Sequence, residues 1–354
     1  MKRPATPEFP FPRPPCSEAE RTAGRLFAKG LGEAGVVPRE QELRAPTSPL
    51  WLHLVAALLR LVAAGLVIGG FPTKAAPVAL VALVVGLPGS SPGRTRLLSK
   101  IPGLGGTTVN VIGQIPGRGE PGLPPLVVCC HLDSHPTGGR ALSRPAGIAA
   151  LASGAGLLVL TIVAGTLGTD VNRAAGALFA TLALASIAQL SAREGSRKSA
   201  GGGSEALVAL LRLAALAAKR PPSRDLWLLA TGAATSGSAG MSDFLVRHRD
   251  LARTAWVLEL DGIGSGELVA VPASTRFPRR RAHPAFVRAL AGAAMDCGDP
   301  LDLETRGRTH GDARTALAAG LPAATLTSRP GDARDTDAVQ RAARIAHVLS
   351  RTIL

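Results

Sequence analysis

The stretch "LVVCCHLDSHP", residues 126–136, decides how the rest of the chain is read. Five apolar residues run unbroken into His131, and Asp133 follows two positions later. A continuous apolar run of this length suits a strand buried on both faces, as in a parallel sheet covered by helices. A His brought to the edge of a sheet by such a strand, with an Asp beside it, has the form of a metal site. Adjacent Cys129 and Cys130 point to opposite sides of the strand and fill core; no cysteine spacing forms a zinc knuckle or a disulfide framework.

Further strands and helices alternate around this one. "TTVNVIGQIPG" (107–117) alternates and closes in a Pro-Gly turn, while "DLWLLATGA" (225–233) and "AWVLEL" (255–260) are buried runs. "LPAATLTS" (321–328) is a last short strand. "SEAERTAGRLFAKGLGEAGV" reads as a helix, with Ser17 as its cap and Glu20 three residues on, as in a capping box. "GGGSEALVALLRLAALAAKRPP" is a Gly-rich loop entering an amphipathic helix, and "TDAVQRAARIAHVLSRTIL" is a C-terminal one. The pattern predicts an α/β three-layer sandwich with a mostly parallel central sheet. His131, Gly232 and Asp261 each follow a strand and are expected at one edge, where ligands of such sheets gather.

Two apolar segments interrupt this alternation, at 51–88 and 146–190, each with the form of a helical hairpin. Basic flanks, "GRTRLLSK" and "SAREGSRKS", adjoin them. The first limb, 51–70, has the length of a membrane span, and Arg60 near its middle is the objection to that reading. Membrane insertion is the expectation, with about four spans in a bacterial-type inner membrane and membrane lipid as a partner. The positive flanks then place the remainder of the chain on the cytoplasmic side. Residues 1–16 are basic and Pro-rich, lack the apolar core of a signal peptide, and read as disordered; 17–354 form the main domain. The net charge of +15 comes with only 3% aromatic residues and scattered arginines, which speaks against nucleic-acid binding. "RFPRRRAHP" (276–284) reads as a solvated loop.

The order "SEAER" helix, "NVIGQIPG", "HLDS", "LWLLATGA", "LELDGIG" and "DTDAV" resembles the aminopeptidase S/aminopeptidase Y family of co-catalytic dizinc exopeptidases. It looks most like a membrane-associated bacterial branch, over roughly residues 17–354. The resemblance implies a zinc exopeptidase fold, with zinc as the cofactor. It implies His131 and Asp261 as ligands of the first zinc, with Asp133 orienting His131. It also shows what is missing. Gly202 stands where the bridging Asp belongs, with Glu205 one turn further into the helix. Ala234 and Thr235 replace a Glu pair whose first member is the general base. Gly331, or Ser328 if an insertion is allowed, stands where the last His belongs.

His131 is therefore either a ligand of a weak zinc site or a strand-end His bonded to Asp133, and Asp261 is either a ligand or a cap for the turn that follows it. Glu205, His135 and His310 are possible substitute ligands, and His310 with Asp312 in "RTHGDA" is a candidate for lining a cleft. Three functions compete on these residues. The first is a catalytically impaired pseudopeptidase that binds a peptide or protein partner. The second is an active zinc metallo-aminopeptidase with a rearranged site. The third is a non-enzymatic membrane assembly module built on the hairpins.

Overall fold

The computed structural model describes residues 7–9, 12–48, 50–86, 99–100, 103–119, 122–134, 155–159, 161–163, 169–195, 204–264, 266–274, 280–304, 311–329 and 337–352. In chain order the elements begin with α1 (Glu18–Glu33), β1 (Pro38–Pro46), α2 (Leu50–Ile68) and α3 (Pro72–Gly86). Next come β2 (Gly105–Ile115), β3 (Leu126–His131), α4 (Thr169–Gly195), α5 (Ser204–Lys219) and β4 (Leu226–Thr231). Then follow α6 (Ala239–Arg247), α7 (Leu251–Thr254), β5 (Trp256–Leu260), β6 (Leu268–Val271), β7 (Ala273–Ser274) and β8 (Arg280–Arg281). The chain ends with α8 (Pro284–Asp296), β9 (Asp302–Leu303), α9 (Asp312–Ala318), β10 (Ala323–Ser328) and α10 (Ala338–Arg351). These elements divide between two compact units.

The first unit, 1–47, 90–135 and 201–354, is built on an eight-stranded sheet of order β1-β2-β4-β3-β5-β10-β6-β9. The sheet is mixed. Its central strands β4, β3, β5 and β10 are parallel, and β1, β2 and β6 join antiparallel. The parallel strands are the apolar runs of the sequence, and every residue of β3 and β5 is buried. Side chains of small volume supply much of the core: α10 buries Ala338, Ala342, Ala343 and Ala346, and α5 buries Ala206, Ala209, Ala214 and Ala217. Helix α5 packs on β3 and against α1 and α10, while α9 packs on β5 and β10 and against α6.

Ser17 caps α1 as the sequence predicts, its Oγ accepting from Glu20 N at 3.1 Å. The return bond of a capping box goes elsewhere. The Glu20 carboxylate accepts from Cys16 N at 2.6 Å, Thr108 Oγ1 at 2.7 Å and Ala233 N at 2.6 Å. One side chain thus ties the start of α1 to β2 and to the loop after β4. Asn110 of the "NVIGQIPG" strand holds the same loop, accepting from Gly232 N at 3.0 Å and donating to Gly240 O at 2.9 Å. Gly240 must lack a Cβ here, because one would run into Asn110 Oδ1 and the Gly232 backbone.

The second unit, 48–89 and 136–200, holds α2, α3 and α4, with α2 packed against both others. Ala63, Ala64, Val67, Ala75, Ala79 and Leu157 form its buried cluster. The expected hairpin at 51–88 is present as α2 and α3. In the second hairpin, at 146–190, most of the first limb lies outside the described residues; the second limb is α4, which starts at Thr169 and absorbs the expected break "TDVNR". The membrane placement is overturned: among the described residues, no helix is long and apolar enough to cross a membrane. The physical reasons are visible in the helices. At 15 residues, α3 has Pro77 inside it and spans roughly 22 Å, short of the ~30 Å hydrocarbon core. Helix α2 carries Arg60 on its buried side, with Nε donating to Ala56 O at 3.1 Å. Helix α4 opens with Asp170, Asn172 and Arg173.

Glu20 gives a pH test of this frame. Burial, and then the nearby Asp133 charge, pushes its carboxyl up from 4.5 to about 7. The folded state thus holds the Glu20 proton more tightly than the unfolded chain does. This contribution to stability is full below about pH 4.5, is lost as pH rises to about 7, and has a slope of at most about 1.4 kcal/mol per pH unit. Urea unfolding across that range is expected to show the decline, and Glu20→Gln is expected to flatten it.

Candidate functional site

The carboxyl ends of β3, β4 and β5 bring the chemistry together. His131 ends β3 beside Thr231 of β4, and Glu259 of β5 sits in register with Cys129. His131 is almost wholly buried, and its Nε2 lies 2.9 Å from Glu259 Oε1 and 3.7 Å from Asp312 Oδ2. Asp312 is the first residue of α9, and its Oδ2 accepts from Thr231 Oγ1 at 2.5 Å. Glu259 reaches the same helix end: Oε1 accepts from Asp312 N at 2.8 Å, and Oε2 accepts from Ala313 N at 3.2 Å and Thr325 Oγ1 at 2.8 Å. A buried carboxylate therefore caps α9 and grips the imidazole together. Gly311 allows the approach; its φ is 105°, and a Cβ there would come within 2.6 Å of Glu259 Oε1 and 3.0 Å of His131 Nε2.

Electrostatics follow from that packing. Burial by itself lowers the His131 pKa, but the Glu259 hydrogen bond and the charges of Asp312 and Glu259 outweigh it and raise the imidazole well above its ordinary value. His131 thus sits beside two carboxyl groups that favour its protonated form. Burial pushes Asp312 up to about 7, opposed by His131 and reinforced by Glu259.

Asp133 lies outside this cluster. Its fully buried carboxylate accepts from Ala234 N at 3.0 Å, Thr235 N at 2.8 Å and Thr235 Oγ1 at 2.5 Å. The Nε2 of the strand-end His meets Glu259, and the loop that starts at Gly232 donates to the Asp133 oxygens. Ala233 in that loop has a φ of 49°, a left-handed conformation held by the bond from its N–H to Glu20.

Asp261, the other expected ligand, is half-buried just past β5 and donates its N–H to Leu326 O at 3.1 Å. Glu205, in the first turn of α5, lies against the turn after β5, where a Cβ on Gly264 would meet its Cγ at 3.2 Å. Ser328 Oγ accepts from Gly264 N at 3.2 Å. His135, His310, Gly202 and Gly331 lie outside the described residues. Among the described residues, the one set of three acidic, His or Cys donors that converges within 4.8 Å is His131, Glu259 and Asp312.

Sequence reasoning missed Glu259. The signal was available: a Glu inside a fully apolar strand must find partners or lose its charge. It also shares a strand face with Asp261, two residues on.

Imidazole and carboxylates at this spacing are donors that zinc takes. Their availability is the difficulty. Each carboxylate oxygen offers two lone-pair positions, and the four of Glu259 are filled by His131, Asp312 N, Ala313 N and Thr325. Among the described residues, Asp312 Oδ1 is buried without a hydrogen-bond partner. A zinc ion bound at His131 Nε2 would have to displace the His131–Glu259 bond. The cluster has the donor chemistry of a zinc site, and its Glu259 oxygens are already engaged by four donors.

Gly311→Ala tests how tightly that cluster is closed. The lost glycine conformation and the contact with Glu259 are expected to cost roughly 1–3 kcal/mol of unfolding free energy, measured by denaturant titration.

No protein-family model matches the chain, and none of the curated proteins does. Solved structures do match. An aminopeptidase from Aneurinibacillus sp. superposes with a TM-score of 0.54 at 12% identity, over 96% of this chain and 89% of that one. A zinc aminopeptidase from Bacillus subtilis gives 0.51 at 12% identity, covering 96% and 90%. A glutaminyl cyclase from Fimbriiglobus ruber gives 0.51 at 12% identity, covering 96% and 88%. At such identities the likeness is one of fold: this chain has the α/β fold of the zinc exopeptidases.

Proposed function

We propose that this chain is a pseudopeptidase, a zinc-exopeptidase-like protein that has lost metal-assisted hydrolysis and binds a peptide or protein partner. One observation carries the reading. Where the resemblance asks for a Glu pair to activate water and hold metal, Ala234 and Thr235 turn their N–H groups onto Asp133. The loop is closed around a carboxylate instead of presenting one. The engaged lone pairs of Glu259 point the same way.

A second reading, an active zinc site rearranged around His131, Glu259 and Asp312, has one observation in its favour. Asp312 Oδ1 is a buried acceptor with no hydrogen-bond partner among the described residues, beside an imidazole. Metal content and hydrolysis separate the two. The purified full chain, dialysed against zinc, is expected to retain far less than one equivalent by mass spectrometry and to release no N-terminal residues from a mixed peptide substrate. Stoichiometric zinc, with hydrolysis abolished by His131→Ala, would overturn the pseudopeptidase reading.

Stability measurements give an independent check. Glu259→Gln breaks the buried His131–Glu259 pair and is expected to cost roughly 3–5 kcal/mol. Asp261→Asn, at a half-exposed position, is expected to change stability by no more than about 0.5 kcal/mol, with or without added zinc. A zinc-dependent gain in the stability of the unaltered chain that Glu259→Gln abolishes would count for the metal reading.

A further inference from the structure

Residues 12–16 belong to the Pro-rich segment expected to be disordered, yet Arg13 is fully buried at the end of β3. Its backbone is bonded in both directions to Ser134: Arg13 N donates to Ser134 Oγ at 2.8 Å, and Ser134 N donates to Arg13 O at 2.9 Å. Its guanidinium spans two loops. Nε donates to Leu132 O at 2.6 Å, and Nη1 donates to Ser204 Oγ at 3.0 Å. Leu132 lies between His131 and Asp133, and Ser204 immediately precedes Glu205. The guanidinium is therefore inserted between the two chain segments that carry these candidate residues.

A buried cation of this kind needs opposite charge and fixed acceptors, because a guanidinium does not shed its proton in a protein. Both are present. Burial pulls the Arg13 pKa down, while Asp133, Cys130, Glu205 and Glu20 hold it up. Leu132 O and Ser204 Oγ supply directional acceptors, which suit a planar fork better than a compact ammonium.

We propose that Leu132 and Ser204 frame a guanidinium-binding site, occupied from within the chain by Arg13 of an N-terminal strap that Ser134 anchors through its backbone. The ligand class is an arginine side chain on an extended peptide, and the strap is its resident copy. The proposal goes beyond the pseudopeptidase reading and stands whether or not the chain hydrolyses peptides.

Chemical rescue in the full chain tests it. Arg13→Ala is expected to lower the Tm, and millimolar methylguanidinium is expected to restore it along a saturating curve. Methylammonium at the same concentrations is expected to give no such recovery. In the unaltered chain, hydrogen exchange is expected to show the Arg13 amide protected like the amides of β3. An unchanged Tm in Arg13→Ala, or equal effects of the two cations, would overturn the proposal. So would exchange of the Arg13 amide at the rate of an unstructured peptide, and that measurement decides alone if the variant does not fold. Neither readout involves zinc or hydrolysis, so this inference and the pseudopeptidase reading can fail separately.

Discussion

The carboxylate of Glu259 is the group around which the site is arranged. It is fully buried, and burial obliges it to find partners for both oxygens. It finds them in the imidazole of His131, two N–H groups at the start of α9 and the hydroxyl of Thr325. The position of α9 follows, and with it the position of Asp312 against His131 and Thr231. A charge that in isolation would destabilise the core instead joins two strands and a helix.

A second carboxylate organises the loop after β4 in the same way. Asp133 collects the loop of Ala234 and Thr235, and Glu20 collects Ala233 from the far side of that loop. Between them they hold Ala233 in a left-handed conformation that an alanine rarely adopts. The two networks explain how a sheet edge rich in acidic groups stays closed. Glu259, Asp133 and Glu20 each accept from backbone N–H groups, and His131 and Arg13 lie among them.

Much of the fold was legible in the sequence because burial on both faces leaves an unambiguous mark: "LVVCC", "LWLLAT" and "WVLEL" are β3, β4 and β5. The cap at Ser17 was legible for a local reason, since its partner is three residues away. The site was less so. His131 and Asp133 could be picked out, but their partners are 101 to 128 residues distant, and only the sheet register decides that His131 meets Glu259 and Asp133 meets the loop after β4. Arg13 was hidden by composition, because its prolines read as disorder although its neighbours in space are strand ends. The apolar hairpins misled for the opposite reason: hydrophobicity alone does not report helix length, an internal proline or the side on which an arginine lies.

The division of the sheet domain into three chain segments has a kinetic side. Strands β3 and β4 are hydrogen-bonded neighbours, yet residues 132–225 lie between them, and β1 and β2 are parted by residues 47–104. Closing such loops costs entropy that grows only with the logarithm of their length, about 0.6 kcal/mol for each doubling. A sheet that already tolerates one long excursion therefore tolerates a longer one at little further cost in stability. The burden falls on folding rate, because the central pairing of β3 with β4 must wait for a distant segment to return.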